Sequence, residues 1–265
     1  MIALGRMDPL RSAVLVPLLE SDALGKARAA LALDVDLPVD TQTVITPPAG
    51  IPGRPLKPEL VPHNQLVQLS VASLEGRAAL IHSIAHIELN AIDLALDIVW
   101  RFPGMPEAFY RDWVSIAKEE ARHFTLLRDH LVSIGFDYGA FQAHNGLWET
   151  AEKTSGDLLA RLALVPRTLE ARGLDASPMV RKKLMSVGDH KAGAILDVIL
   201  NDEIGHVAVG NRWYRFLCAA RGLDPVSTYA ELSDRYKAPH LRGPFNLEAR
   251  RAAGFDEQEL AALQR

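Results

Sequence analysis

Apolar residues recur at three- and four-residue steps along much of the chain, the spacing that places them on one face of a helix. The first long stretch predicts a helix from about Leu74 to Phe102, which stops before Pro103-Gly104. A second helix is predicted to begin at Pro106, a favoured first position, and to end at Gly135. The pattern is typical of an all-α protein.

The second half of the chain repeats this arrangement. A third helix is predicted from about Leu147 to Arg172, kinked by Pro166 and closed by Gly173. Ser177-Pro178 is predicted to open a separate short helix, and a fourth long helix runs from Gly188-Asp189 to about Ala220. Four helices with a long connection in the middle favour a bundle with one crossover connection.

The flanking segments differ from the bundle. Residues from Pro9 to Leu33 predict a helical hairpin or one helix interrupted at Pro17. Residues 34–62 are rich in proline, so they are predicted as a linker or as an extended arm, and the arm is favoured because apolar residues accompany the prolines. The predicted division is an N-terminal helix and arm over 1–70, a bundle over 71–222, and a C-terminal extension of short helices over 223–265.

Candidate chemistry begins with two E-x-x-H sequences, Glu120 to His123 and Glu203 to His206. Residues three apart on a helix share a face, so each pair can grip one metal ion from one side. Chance alone predicts roughly half an occurrence per chain of this size, so one copy means little. Each copy is preceded by a glutamate on the previous long helix: Glu88 lies 32 residues before Glu120, and Glu170 lies 33 residues before Glu203.

The surroundings of these acids predict that they face inward. The helical neighbours of Glu88 and Glu203 are mostly isoleucine, leucine, valine and alanine. A buried carboxylate without a compensating charge is destabilising by several kcal/mol. Four carboxylates and two neutral imidazoles would carry a charge of −4, which two divalent cations cancel.

This ligand set resembles that of ferritin-like two-metal proteins. The resemblance implies a ferritin-like four-helix bundle holding two ions, bridged by Glu120 and Glu203, with Glu88 and Glu170 as more terminal ligands and His123 and His206 completing the set. Several stretches, from His86 to Leu89, Glu119 to Phe124, Gly146 to Glu149, Asp202 to Arg212 and Pro244 to Arg250, also resemble an uncharacterised bacterial family within that superfamily. In one departure, Gly205 stands where the E-x-R-H element of oxygen-activating di-iron proteins has arginine.

Residues beside the ligands have predicted supporting roles. Glu119 and Asp202 each precede a ligand glutamate, and an acid there can accept the outer N–H of a ligand histidine on the opposite helix. The pairing expected is Asp202 with His123 and Glu119 with His206; the alternative is that both are surface acids. Trp113 and Trp213 lie seven residues from ligands, so they either line a cavity or pack in the core. His82 and His86 lie off the face of Glu88 and are predicted to form packing or hydrogen-bonding contacts.

Composition and charge argue against several classes of function. The 265 residues carry a net charge of −4, which gives no reason to expect nucleic acid as the main partner, and the single cysteine excludes a cysteine-based metal cluster. The first residues, Met1 to Arg6, lack the pattern of a secretory signal, and charges break the longest apolar runs, so a cytoplasmic protein with no membrane span is expected.

The hypothesis favoured is an oxidoreductase that uses O₂ or peroxide at a di-iron or manganese/iron centre. Iron is the expected metal, manganese is an alternative, and zinc can load as a recombinant substitute. The partners would be an unknown small-molecule substrate and an external reductase, because the chain has no flavin or nicotinamide motif. The alternatives are a metal-storage protein without catalysis and an enzyme similar to the tRNA-hydroxylating members of the superfamily.

Overall fold

The computed structural model describes residues 9–46 and 48–263. Residues Met1 to Arg6 and Pro47, on which some of the predictions fall, lie outside that part. Within it the regular structure is helical, with one isolated bridge between Leu60 and Ala143. The helices are α1 Leu10–Ala13, α2 Leu15–Leu19, α3 Ala23–Leu31, a short 3₁₀ turn His63–Gln65, α4 Leu74–Arg101, α5 Glu107–Ser133, α6 Gly146–Lys153, α7 Leu158–Leu164, a π-helical segment Val165–Glu170, α8 Ala171–Ser186, α9 His190–Ala220, α10 Pro225–Arg235, α11 Leu247–Ala252 and α12 Glu257–Ala262.

The chain forms two compact units, one made of Met1–Leu60 with His82–Ala143 and the other of Val61–Ile81 with His144–Arg265. The domain boundaries predicted at residues 70 and 222 stay predictions.

The first unit packs α3 against α5 and α2 against α3. Its buried Arg11 donates hydrogen bonds to the carbonyl oxygens of Val99 and Trp100, which lie in the last turn of α4, where backbone carbonyls lack helical partners. The same guanidinium donates to the carbonyls of Asp40 and Thr43 in the proline-rich segment. That segment is therefore bonded to the helices of its own unit.

The second unit is organised around α9, which packs against α7, the π-helical segment and α8. Asp189 caps α9 by accepting a hydrogen bond from the Ala192 backbone N–H at 3.0 Å. Small and apolar side chains of α8, α9 and the C-terminal helices form a common core: Ala171, Leu174, Val207, Ala249, Ala253, Phe255 and Leu260.

Two helix-boundary predictions are wrong. The helix predicted to close at Gly173 continues as α8 to Ser186, and Pro178 lies inside it instead of opening a new helix. The predicted helix from Leu147 is also interrupted between α6 and α7, where Asp157 accepts hydrogen bonds from two backbone N–H groups and caps α7.

The segment from Pro9 to Leu33 is interrupted, as predicted, but not at Pro17 itself. Pro17 occupies the first turn of α2, where a missing N–H has no helical acceptor to lose. The interruptions lie at Val14, between α1 and α2, and after Leu19, where Asp22 caps α3 through the Gly25 N–H at 2.6 Å.

Among the residues that the structure describes, one helix, α4, is long and apolar enough to cross a membrane by length and composition. Its apolar run is therefore less interrupted by charges than predicted. In the structure 72% of its most apolar window is buried inside the protein, which is the pattern of a core helix.

Candidate metal centre

Three of the predicted ligands meet in the first unit. Glu88 of α4 and Glu120 and His123 of α5 are 4%, 0% and 0% exposed. The Nδ1 atom of His123 lies 3.1 Å from Glu88 Oε2 and 3.4 Å from Glu120 Oε2. One ligand atom from each of the three residues lies within 4.8 Å of the others, so this buried group of carboxylates and imidazole can hold a metal ion.

The helix pattern explains why these side chains point inward. On α5 the residues Trp113, Ala117, Glu120, Phe124 and Leu127 follow one face at three- and four-residue steps, and all are buried. Glu120 therefore occupies a position that the periodicity assigns to the core.

The electrostatics of the group favour a cation. Burial by itself lowers the pKa of His123, but the hydrogen bonds and charges of Glu120 and Glu88 outweigh it and raise the pKa to about 11. The two carboxylates therefore draw a positive charge to the point where their oxygens meet Nδ1. A proton supplies that charge on the protein alone, and a divalent ion satisfies the same donors with greater charge. The charge and the donor atoms of Glu88, Glu120 and His123 are therefore compatible with a bound metal ion.

The second unit carries the matching set. Glu203 and His206 of α9 are 7% and 1% exposed, and the Nδ1 atom of His206 lies 3.3 Å from Glu203 Oε1. In both E-x-x-H pairs the histidine Nδ1 atom therefore lies near the carboxylate three residues earlier. Glu170 is half-buried and is the last residue of the π-helical segment.

A close packing contact positions the segment that carries Glu170. Pro166 lacks a backbone N–H, and Thr168 donates its hydroxyl hydrogen to the Ala163 carbonyl at 2.9 Å, so the helix widens into a π turn. The ring of Pro166 faces Gly210 of α9. A Cβ atom added at Gly210 would lie 2.4 Å from the Cβ atom of Pro166. The kink predicted at Pro166 takes the form of a π-helical segment, a feature that often marks functional sites.

The residues predicted to support the ligands have different surroundings. Glu119 is exposed and Asp202 is half-buried, and their pairing with His206 and His123 stays a prediction. Trp113 and Trp213 are 2% and 6% exposed. Trp113 packs edge-on against Phe109, and among the described residues its Nε1 atom has no hydrogen-bond acceptor. Cavity lining by the two tryptophans also stays a prediction.

The off-face histidines of α4 make hydrogen bonds, as predicted. His82 accepts a hydrogen bond from the Gly139 backbone N–H at Nε2, and burial lowers the pKa of His82 to about 4. The Nδ1 atom of His86 lies 2.8 Å from the Tyr138 hydroxyl.

Sequence reasoning missed a buried ion pair near these histidines. Lys26 of α3 donates to the Asp93 carboxylate of α4, and the two residues are 1% and 4% exposed. Burial raises the pKa of Asp93 to about 6 even though Lys26 opposes the shift. The residues are 67 positions apart, so no local pattern indicates the pair.

The described part of the chain thus defines a helical protein with a buried carboxylate–histidine group able to hold a metal ion. The family model described as "Protein of unknown function (DUF455)" matches residues 20–261, and the chain belongs to that family. It is 47% identical over 223 residues to a protein of Haemophilus influenzae described as "Uncharacterized protein", an alignment that covers 82% of this chain and 77% of the relative. No solved structure matches the chain.

Proposed function

We propose that the chain is a ferritin-like di-metal carboxylate protein acting as an oxidoreductase. The observation that carries the proposal is the buried meeting of Glu88, Glu120 and His123, in which the His123 Nδ1 atom lies 3.1 Å from one carboxylate and 3.4 Å from the other. Buried carboxylates are destabilising unless a positive charge, from a proton or a metal ion, compensates them.

The repeat supports a site for two ions. Glu170, Glu203 and His206 reproduce the residue types and spacing of the first set, and both histidines direct Nδ1 towards their own E-x-x-H glutamate. We propose that these six residues would hold two divalent ions, with Glu88, Glu120 and His123 from the first set and Glu170, Glu203 and His206 from the second. The four carboxylates then balance the charge of two divalent cations.

The role of the chain is to bind the metal ions, orient their ligands and enclose the site. Carboxylate and imidazole donors suit iron or manganese, which when bound would supply the redox and Lewis-acid chemistry of an oxidation by O₂ or peroxide. Burial of Glu120 and His123 keeps bulk water from the ligands. Asp202 and Glu119 are proposed to hold the Nε2–H of the histidines and so fix which nitrogen binds the ion. The electrons would come from a separate reductase.

Anaerobic titration with ferrous iron, followed by oxygen-consumption measurements with an artificial reductant, tests the proposal. Two ions per chain and reductant-dependent oxygen consumption are expected. The control is Glu107→Ala, which removes an exposed acid at the start of the same helix as Glu120. Uptake far beyond two ions would favour storage, and absence of tight binding in the wild-type protein would refute the metal site.

A further inference from the structure

The C-terminal helices attach to the segment that carries Glu170. Arg167 lies three residues before Glu170 in the π-helical segment and is 2% exposed. Its Nη1 donates a hydrogen bond to Asn211 Oδ1 of α9 at 2.6 Å, and its Nη2 donates to Glu259 Oε1 of α12 at 2.5 Å. One guanidinium therefore joins the π-helical segment to the E-x-x-H helix and to the last helix of the chain.

Aromatic rings enclose this ion pair. The Arg167 guanidinium lies 4.4 Å from the ring centre of Tyr214, 5.1 Å from that of Phe255 and 5.6 Å from that of Tyr229. Guanidinium groups are weakly hydrated and stack on aromatic faces, so this environment suits arginine better than lysine. The planar group is consequently fixed in both position and orientation.

Glu259 is itself held in place. Its Oε2 atom accepts hydrogen bonds from Arg215 Nη2 at 2.5 Å and from the Asp256 backbone N–H at 2.9 Å. The second contact belongs to a capping box that fixes the first turn of α12. The carboxylate that Arg167 meets therefore has little freedom to move.

A second arginine secures the other side of Glu170. Arg250 of α11 is 0% exposed and donates from Nε and Nη2 to the two carboxylate oxygens of Asp175, at 3.0 and 2.6 Å. Its Nη2 also lies 3.3 Å from the carbonyl oxygen of Ala171, the residue directly after Glu170. Buried arginine–carboxylate contacts thus hold the chain on both sides of the proposed ligand.

The π-helical segment Val165–Glu170 has fewer regular helical hydrogen bonds to fix its own conformation. Its π-helical hydrogen bonding departs from the α pattern, and Pro166 contributes no donor. Contacts from outside the segment must therefore set where Glu170 lies.

We infer that α11 and α12 form a positioning clamp for Glu170, with Arg167 and Glu259 as positioning residues of the metal site. The inference rests on the proposed function, because it assigns Glu170 a metal to bind. It gives the C-terminal extension a role in metal affinity in addition to its contribution to the core.

The test compares Glu259→Gln with Glu257→Gln in the full-length protein. The first variant keeps the shape of the buried carboxylate but removes its charge. The second neutralises an acid two residues earlier on the same helix, whose side chain is 74% exposed in a surface pair with Arg251. Hydrogen exchange of residues 165–171 is measured without metal, and cobalt(II) binding is followed by titration and visible absorption.

Faster exchange in residues 165–171 and about tenfold weaker binding of one cobalt ion, with altered absorption bands, are expected for Glu259→Gln only. If Glu259→Gln does not fold, Arg167→Lys serves instead, because it keeps the charge and loses the paired hydrogen bonds. The clamp would be overturned if Glu259→Gln lowered the melting temperature but left hydrogen exchange in residues 165–171 and cobalt binding as in the wild-type protein. A wild-type protein that binds no cobalt would overturn the proposed function, and the positioning role with it.

Discussion

The contact between Pro166 and Gly210 provides a sharp test of how α9 and the π-helical segment are held together. An alanine Cβ at position 210 would lie 2.4 Å from Pro166 Cβ and 2.7 Å from Pro166 Cγ. Carbon atoms prefer about 3.5–4.0 Å, and the proline ring cannot rotate away. Gly210→Ala must therefore push α9 and the segment that ends at Glu170 apart.

The same helix offers a matched control. Gly205 is exposed, and an added Cβ there would meet nothing within 4 Å. Gly205→Ala should stabilise the protein by about 1 kcal/mol through helix propensity alone. Gly210→Ala gains the same term, but overpacking costs about 1–3 kcal/mol. The free energies of unfolding of the two variants should therefore differ by about 1–3 kcal/mol, with Gly210→Ala the less stable.

Urea denaturation of the metal-free variants, followed by circular dichroism, measures this difference. Metal titration of the same samples should show weaker binding of one ion in Gly210→Ala and unchanged binding in Gly205→Ala, because only the former displaces Glu170. Equal stability and equal metal affinity in the two variants would refute the packing argument.

Three further outcomes are expected. Glu120→Ala and Glu203→Ala should each lose at least one ion by elemental analysis while remaining folded, and wild-type metal content in both would disprove the ligand assignment. Asp202→Asn and Glu119→Gln should each weaken metal affinity by about 10–100-fold in titrations. If only Asp202→Asn had this effect, the ligand assignment would be kept, but the pairing of Glu119 with His206 would be rejected. His82 stays neutral in the folded protein because burial lowers its pKa to about 4, so its stabilising contribution is present above about pH 6.5 and is lost as the pH falls towards 4. The free energy of unfolding from urea denaturation should drop over that range by up to about 3 kcal/mol, and less in His82→Gln; an equal drop in both would contradict this reasoning.

Local signals in the sequence predicted much of the helical structure. Gly135 ends α5 with a φ of +91°, and Gly222 follows α9 with a φ of +65°, conformations that glycine adopts without strain. The E-x-x-H pairs were recognisable because the three-residue spacing belongs to the helix itself. Each pair brings its histidine Nδ1 within 3.4 Å of its glutamate.

The remaining features depend on contacts that no local pattern contains. Gly173 lies inside α8 and does not end the helix, and its neighbours Ala171 and Leu174 are buried in the core of the second unit. The Arg167–Glu259 pair joins residues 92 positions apart. Proline in a helix predicts a kink, but the π-helical form of this one also depends on the space left by Gly210.

The proposed two-metal site is tested by diffraction from crystals loaded anaerobically with iron or manganese, recorded at the absorption edge of the metal. Two anomalous peaks per chain are expected, one beside His123 Nδ1 and one beside His206 Nδ1. Peaks confined to other residues, or none at these histidines in a folded protein, would contradict it.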